Sequence, residues 1–384
     1  MEVSRHFTLG FWAMRAMPPW RRRLVWAVAG VALPSVIALG GAGWYYSGLV
    51  IDPYHSSDYP LEVTAVNGDQ VTLKGGADTA APGTYGLTWA GGNALLGPVV
   101  STGIGTVTRR VEKVSRGTLR PGVRAYLDRS LWGRVGPSAV GMPYKDVKVP
   151  SPLGDFPAWQ TEGTSSTWVI AVHGRNGDAA EALRVLPTLR RLGMPVLGIT
   201  YRNDEGAPAG PDGKLHLGAG EWEDLAAAIT YAKGQGATEM VLYGWSMGGA
   251  IVPMAVRKLP DEPITGMILD SPVMDWRSPI AYGGRQMGVP DFLVSVADWV
   301  IERRTGLSFD DLDHVRHARD FSIPALIFVD SADGTVPVEP ALEFARIRSD
   351  LVTLVRTKGG GHTGSWNVDP EQYEDAVRTF VSGL

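Results

Sequence analysis

Three side chains in this sequence have the types and surroundings needed to make an activated nucleophile. Ser246 sits in Gly244-Trp245-Ser246-Met247-Gly248, a G-x-S-x-G pattern. The apolar run MVLY leads into it and a helical segment follows, which predicts a strained strand-to-helix turn exposing the hydroxyl at the strand's C-terminal end. A serine hydroxyl attacks poorly until a base takes its proton. Of the seven histidines, His362 is the candidate base. His6 precedes and His55 follows a long uncharged run, His173 precedes a glycine-rich loop, His216 is in a polar loop, and His314 and His317 lie in a segment read as a cap. His362 follows the last strand in KGGGHTGSWN, where three glycines allow a sharp bend. The imidazole then needs an acid to fix its tautomer. Asp333, in IFVDSADGTVP, lies between Ser246 and His362 on a loop after a strand and is taken as that acid, with Asp330 as the nearby competitor and Asp270 as a weaker one. His173-Gly174-Arg175-Asn176-Gly177 follows the strand VIAV, and the backbone N–H groups of Arg175 and Met247 are assigned to an oxyanion hole. The Arg175 side chain is read as solvated, with an anionic substrate group as the alternative, and His173 as a structural hydrogen-bonding residue.

These groups need a scaffold, and from about residue 141 the sequence alternates strand, loop and helix. YKDVKVPSPLGDFPAWQTEG reads as a hairpin, then TWVIAVHG, MPVLGITYR, EMVLYGW, TGMILDSP, PALIFVDS and LVTLVRT as strands. AAEALRVLPTLRRLG, GEWEDLAAAITYAKGQG, AIVPMAVRKL, VEPALEFARIRS and DPEQYEDAVRTFVSGL carry helical spacing between or after them. This alternation predicts an α/β domain over 141–384, a mostly parallel sheet with helices on both faces. About fifty residues, 272–322, form an expected cap. In it DFLVSVADWVIERRTG places Phe292, Val296, Trp299 and Val300 on one side, and Trp276 and Tyr282 are candidates to line an acyl pocket.

Before the catalytic segment, residues 52–140 read as a small β-rich domain of barrel type. YPLEVTAVNGDQVTLKG alternates on both sides of Asn67-Gly68, a hairpin signal, and GTVTRRVEKV reads as a further strand. A spacer or packing role is the simplest reading for this domain. Residues 24–51 carry no charge, flanked by Arg5, Arg15, Arg21, Arg22 and Arg23 on one side and by Asp52, Asp58 and Glu62 on the other. About 20 apolar residues cross a bilayer core. Residues 24–51 are therefore expected to form a transmembrane helix, with residues 1–23 as a cytoplasmic tail and the catalytic domain extracytoplasmic. A cleaved signal peptide and a buried core helix are the alternatives.

Composition narrows the function class. A net charge of −4 gives no basic domain of the kind nucleic acids select. The absence of cysteine removes disulfides, thiolate metal sites and a Cys nucleophile. His314 and His317 in HVRH lack a third metal ligand, so neither metal nor cofactor is expected.

The order of HG loop, GWSMGG elbow, LDSP strand end, DSADGTVP acid loop and GGGH resembles the α/β-hydrolase superfamily over about residues 141–384. The LDSP and D-x-x-V-P details are similar to its serine-aminopeptidase-like and BEM46-like branch. Arg175 stands where that branch more often has an apolar residue, and Asp330 where it often has His. The resemblance implies a membrane-anchored bacterial serine hydrolase acting on carboxylic esters or thioesters, a small-molecule or lipid-like acyl substrate, through an acyl-enzyme. Peptide hydrolysis on the same residues and a catalytically silent cell-envelope binding protein are the alternatives.

Overall fold

The computed structural model describes residues 18–54 and 58–384. Most of the expected N-terminal tail and His55 lie outside the described residues. Among the described residues, a long helix α1 (Pro19–Ile51) precedes a closed six-stranded barrel and an eight-stranded sheet flanked by helices.

The barrel is built from β1 (Leu61–Asn67), β2 (Gln70–Lys74), β3 (Tyr85–Trp89), β4 (Gly92–Gly103), β5 (Thr106–Arg116) and β6 (Arg124–Asp128), closed in the order β1-β2-β5-β4-β3-β6. Val63, Val71, Leu73, Leu87, Ala94 and Leu96 alternate inward and fill it. The first hairpin turns one residue later than expected. Asn67 pairs with Gln70, so Gly68 and Asp69 are the central residues, and Gly68 supplies the positive φ of 59° that the turn demands. Arg109 is wholly buried and donates to the carbonyls of Thr79, Ala81, Gly83 and Gly97, tying the β5 side of the barrel to the loop before β3.

The second sheet runs β14-β13-β12-β11-β9-β10-β8-β7. Its core strands are β9 (Thr167–Val172), β10 (Val196–Ile199), β11 (Glu239–Trp245), β12 (Ile264–Asp270), β13 (Ala325–Asp330) and β14 (Val352–Thr357). They are parallel, and β9 to β13 are apolar on both faces because helices cover both. The hairpin β7 (Lys145–Ser151) and β8 (Gly154–Thr161) joins antiparallel to β10, so the sheet is mixed. The segment AAEALRVLPTLRRLG is not one helix. A tight turn over Ala179–Arg184 gives way to α2 (Leu186–Arg191), because Pro187 offers no amide to continue a ladder through Val185. The helices α3 (Trp222–Gly234) and α4 (Gly248–Lys258) follow the sequence reading, and Pro253 sits within α4 without breaking it.

One expectation finds no support here and another is corrected. Among the described residues, no helix is long and apolar enough to cross a membrane, so the span expected over 24–51 and the anchoring it implied find no support. The last turns of α1 are instead committed to protein contacts: Ser47 and Ile51 are fully buried, and Ile51 belongs to the catalytic core. The correction concerns the cap, which holds α5 (Arg277–Gln286) and α6 (Asp291–Thr305). Along α6 the buried face is Val294, Ala297, Val300 and Ile301, whereas Phe292 and Trp299 are exposed. Gly43 of α1 comes so close to α6 that a Cβ there would meet Val296 and Val300 at 2.8 and 3.0 Å, so α1 takes part of the surface a lone cap helix would leave open.

Candidate functional site

Ser246 follows β11 and precedes α4, with φ of +51°, a left-handed conformation that a non-glycine residue adopts at a cost of about 1–3 kcal/mol. The turn is possible because its neighbours are glycines. A Cβ on Gly244 would overlap the Gly248 carbonyl, and one on Gly248 would overlap the carbonyl of Val172 on β9. The Ser246 N–H donates to Asp270 O at 3.0 Å, fixing the elbow to the end of β12.

The structure brings the three sequence-derived residues together. His362 Nε2 lies 2.8 Å from Ser246 Oγ, and His362 Nδ1 lies 2.8 Å from Asp333 Oδ2. Asp333 is held in turn by the amides of Thr335 and Val336, each donating to Oδ1 at 2.8 Å. Its side chain is 1% exposed and that of His362 is 17% exposed, so the acid is sealed while the base keeps one face open.

Asp330 and Asp270, the two competitors, serve elsewhere. Asp330 is wholly buried and accepts from the amides of Ala332, Gly359, Gly360 and Gly361 and from the Thr357 hydroxyl. Burial opposes its ionisation, but these donors outweigh it and hold the carboxyl below its ordinary range. It thus straps down the glycine loop that carries His362, where Gly359 and Gly361 take positive φ. Asp270 accepts from Tyr373 at 3.0 Å and from Ser271 at 3.3 Å, and burial raises its pKa. Ser271 Oγ also receives the Thr363 amide, next to His362, at 2.9 Å.

The barrel supports the same loop from behind. Asn367 Nδ2 donates to Thr84 O and Arg129 O at 2.8 and 3.0 Å, and the Thr84 amide donates to Asn367 O at 2.9 Å. Arg184 donates to Thr363 O at 2.6 Å. Neither Asp330 nor Asn367 was identified as a loop support from sequence. The available signal was position alone: Asp330 is the last residue of β13, and Asn367 lies in the short helical turn that follows His362.

On the opposite side of Ser246 lies the loop after β9. Among the described residues, neither the Arg175 amide nor the Met247 amide donates to a protein acceptor. Gly174 lets the loop approach, since a Cβ there would sit 3.0 Å from Ser246 Cβ. The loop is held by Glu181, which accepts the Gly174 amide at 3.1 Å, and by His173. His173 is buried. Burial disfavours its charge, but the Asp204 carboxylate 2.9 Å from Nε2 overrides this and raises the imidazole pKa to about 9. Both ring nitrogens then donate, Nε2 to Asp204 and Nδ1 to Gly174 O at 2.8 Å. The Arg175 side chain is not free in solvent. Its guanidinium donates to the carbonyls of Leu49 and Val50 at the end of α1.

Ser246 opens into a cavity of about 340 Å³. Trp276 and Tyr282 line it as expected, with Val273, Ile280 and Met287 from the cap side and Tyr46, Leu49 and Val50 from α1. A larger surface cavity of about 600 Å³ beside Lys145, Glu162 and Arg190 contains none of the candidate residues. The HVRH histidines are engaged elsewhere: His314 Nε2 donates to Ala250 O at 3.1 Å, and His317 pairs with Asp320 at 3.0 Å. Burial, with Arg257 nearby, lowers the His314 pKa to about 3.

Two family models match the chain. Residues 163–313 match serine aminopeptidase, S33, and residues 62–128, within the barrel, match a domain of unknown function (DUF8805). No curated protein matches the sequence. Among solved structures, an esterase from Pyrococcus furiosus is 20% identical with a TM-score of 0.54, covering 66% of this chain and 95% of its own. A second crystal form of that esterase is 22% identical at 0.53, over 66% and 97%. Est1E from Butyrivibrio proteoclasticus, solved with ferulic acid bound, is 19% identical at 0.50, over 62% and 98%. At these identities the likeness is one of fold. The fold is that of the α/β-hydrolases, here preceded by a β-rich domain.

Proposed function

We propose that the protein is a serine hydrolase that cleaves carboxylic esters or thioesters of apolar acyl groups. The observation that carries this reading is the unbroken chain of two 2.8 Å contacts from Ser246 Oγ through His362 to Asp333, opening into an apolar cavity. Ser246 Oγ attacks the acyl carbonyl as His362 Nε2 takes its proton. Asp333 keeps the Nδ1 proton directed away from the serine and stabilises the imidazolium. The carbonyl oxygen, now anionic, is received by the amides of Arg175 and Met247, the latter at the start of α4, where the helix dipole favours negative charge. His362 returns the proton to the leaving alcohol or thiol, leaving an acyl group on Ser246. Water then enters by the same path in reverse and releases the acid.

Peptidase activity on the same residues is the less favoured reading. An aminopeptidase must hold a substrate ammonium, for which a carboxylate is the natural partner, and among the described residues no Asp or Glu lines the cavity. Comparing acyl esters and thioesters with aminoacyl amides on the full chain separates the two. Faster turnover of the amides would overturn the ester reading. Inertness toward all of these substrates and toward fluorophosphonates would favour a silent binding protein.

A further inference from the structure

The cavity beside Ser246 is closed on one side by a segment outside the sheet domain. Tyr46, Leu49 and Val50 of α1 face it. A helix end leaves its last four carbonyls without partners of its own. Here each is taken up. Gly48 O receives the Asp52 amide at 2.9 Å, Leu49 O and Val50 O receive Arg175 Nη1 at 3.0 and 2.9 Å, and Ile51 O receives the Leu215 amide at 2.8 Å. The Arg175 cation also suits the negative end of the helix dipole. Further up α1, Arg304 donates to Ser47 Oγ at 2.7 Å and stacks 4.0 Å from the centre of the Trp44 ring. Asp52 pairs with Lys214 at 2.6 Å. The docking is therefore specific in hydrogen bonds as well as in apolar contact.

Arg175 gives this contact a consequence for the chemistry. Its amide belongs to the oxyanion loop, while its side chain grips the helix turn that lines the acyl cavity. We infer that the last turns of α1 are a specificity-determining wall of the acyl site, with Leu49 limiting acyl length and Arg175 acting as the positioning residue that ties this wall to the oxyanion loop. The inference rests on the serine-hydrolase reading. The substrate class it implies is an ester with an apolar acyl chain laid between α1 and the cap helices.

The test uses the full chain and p-nitrophenyl acetate, butyrate and octanoate, with a fluorophosphonate to count reactive sites. Leu49→Trp should lower the ratio of kcat/KM for octanoate to that for acetate by about tenfold or more, the scale on which apolar pockets discriminate between acyl groups. Leu49→Ala should move the ratio the other way, which a general loss of folding would not do. Arg175→Ala retains its backbone N–H, so its expected signature is a raised KM for octanoate with an undiminished count of reactive sites, and Arg175→Lys should recover part of the loss. Normal labelling with the ratio within twofold of wild type in both Leu49 variants, or an unaltered octanoate KM in Arg175→Ala, overturns the wall. Failure of the wild-type protein to label would overturn the hydrolase reading instead.

Discussion

Replacing Asp330 with asparagine removes one charge and no volume, and the structure says what this should cost. Oδ1 of Asp330 accepts the amides of Ala332, Gly359 and Gly361, while Oδ2 accepts the Gly360 amide and the Thr357 hydroxyl. An asparagine can present its oxygen to only one of these groups. With the oxygen in the Oδ1 position, the new NH2 faces the Gly360 N–H, and a buried donor meets a donor. Thr357 escapes because its hydroxyl can still serve Ser365 Oγ, 3.0 Å away. One buried amide without an acceptor, plus lost charge assistance on the others, gives about 2–4 kcal/mol of destabilisation. The effect should also reach the chemistry, because Gly361 is bonded to His362 and the loop then no longer holds the imidazole against Ser246. Urea denaturation read beside the rate of fluorophosphonate labelling checks both parts. A variant with wild-type midpoint and wild-type labelling rate would refute the role given to Asp330.

Other outcomes follow from the same geometry. Asp333→Asn should leave the fold intact and lower kcat by about 10⁴, since the amide favours the wrong imidazole tautomer, as read by steady-state ester hydrolysis. Asn367→Ala leaves the carbonyls of Thr84 and Arg129 without the amide they now receive. It should cost about 1–3 kcal/mol in thermal or urea unfolding and raise hydrogen exchange in the His362 loop. His173 has a folded pKa of about 9, above its ordinary 6.5. Its contribution to stability is therefore fully present below about pH 6.5 and lost as pH rises through 9. Relative to a His173→Gln variant, the wild-type advantage should shrink by on the order of 3 kcal/mol between pH 6 and pH 10 in denaturant titrations. An advantage that grows over this range would contradict the ion pair with Asp204.

The sequence was most legible where one local rule decided the outcome. The strands β9, β11, β12 and β13 are covered on both faces, so each appears as an unbroken apolar run such as VIAV or LIFV. The elbow was legible because Gly244 and Gly248 are required by close backbone contacts with Gly248 O and Val172 O. What could not be read depended on partners distant in sequence. Asp330 and Asp333 stand three residues apart, at the end of β13 and just after it, and only the path of the glycine loop decides which of them meets His362. The docking of the last turns of α1, from Trp44 to Ile51, depended on Arg175, Leu215 and Arg304, more than a hundred residues downstream. An uncharged run reads alike whether lipid or protein receives its last turns. On α6, the presence of α1 against Val296 and Val300 decided which apolar residues were covered, leaving Phe292 and Trp299 outside despite their size.

The most direct test of the central claim is fluorophosphonate labelling of the full chain beside its Ser246→Ala variant, followed by mapping of the modified peptide. The account predicts one label per chain on Ser246 and none in the variant. Labelling that persists in Ser246→Ala, or a folded wild-type protein that takes no label, would contradict it.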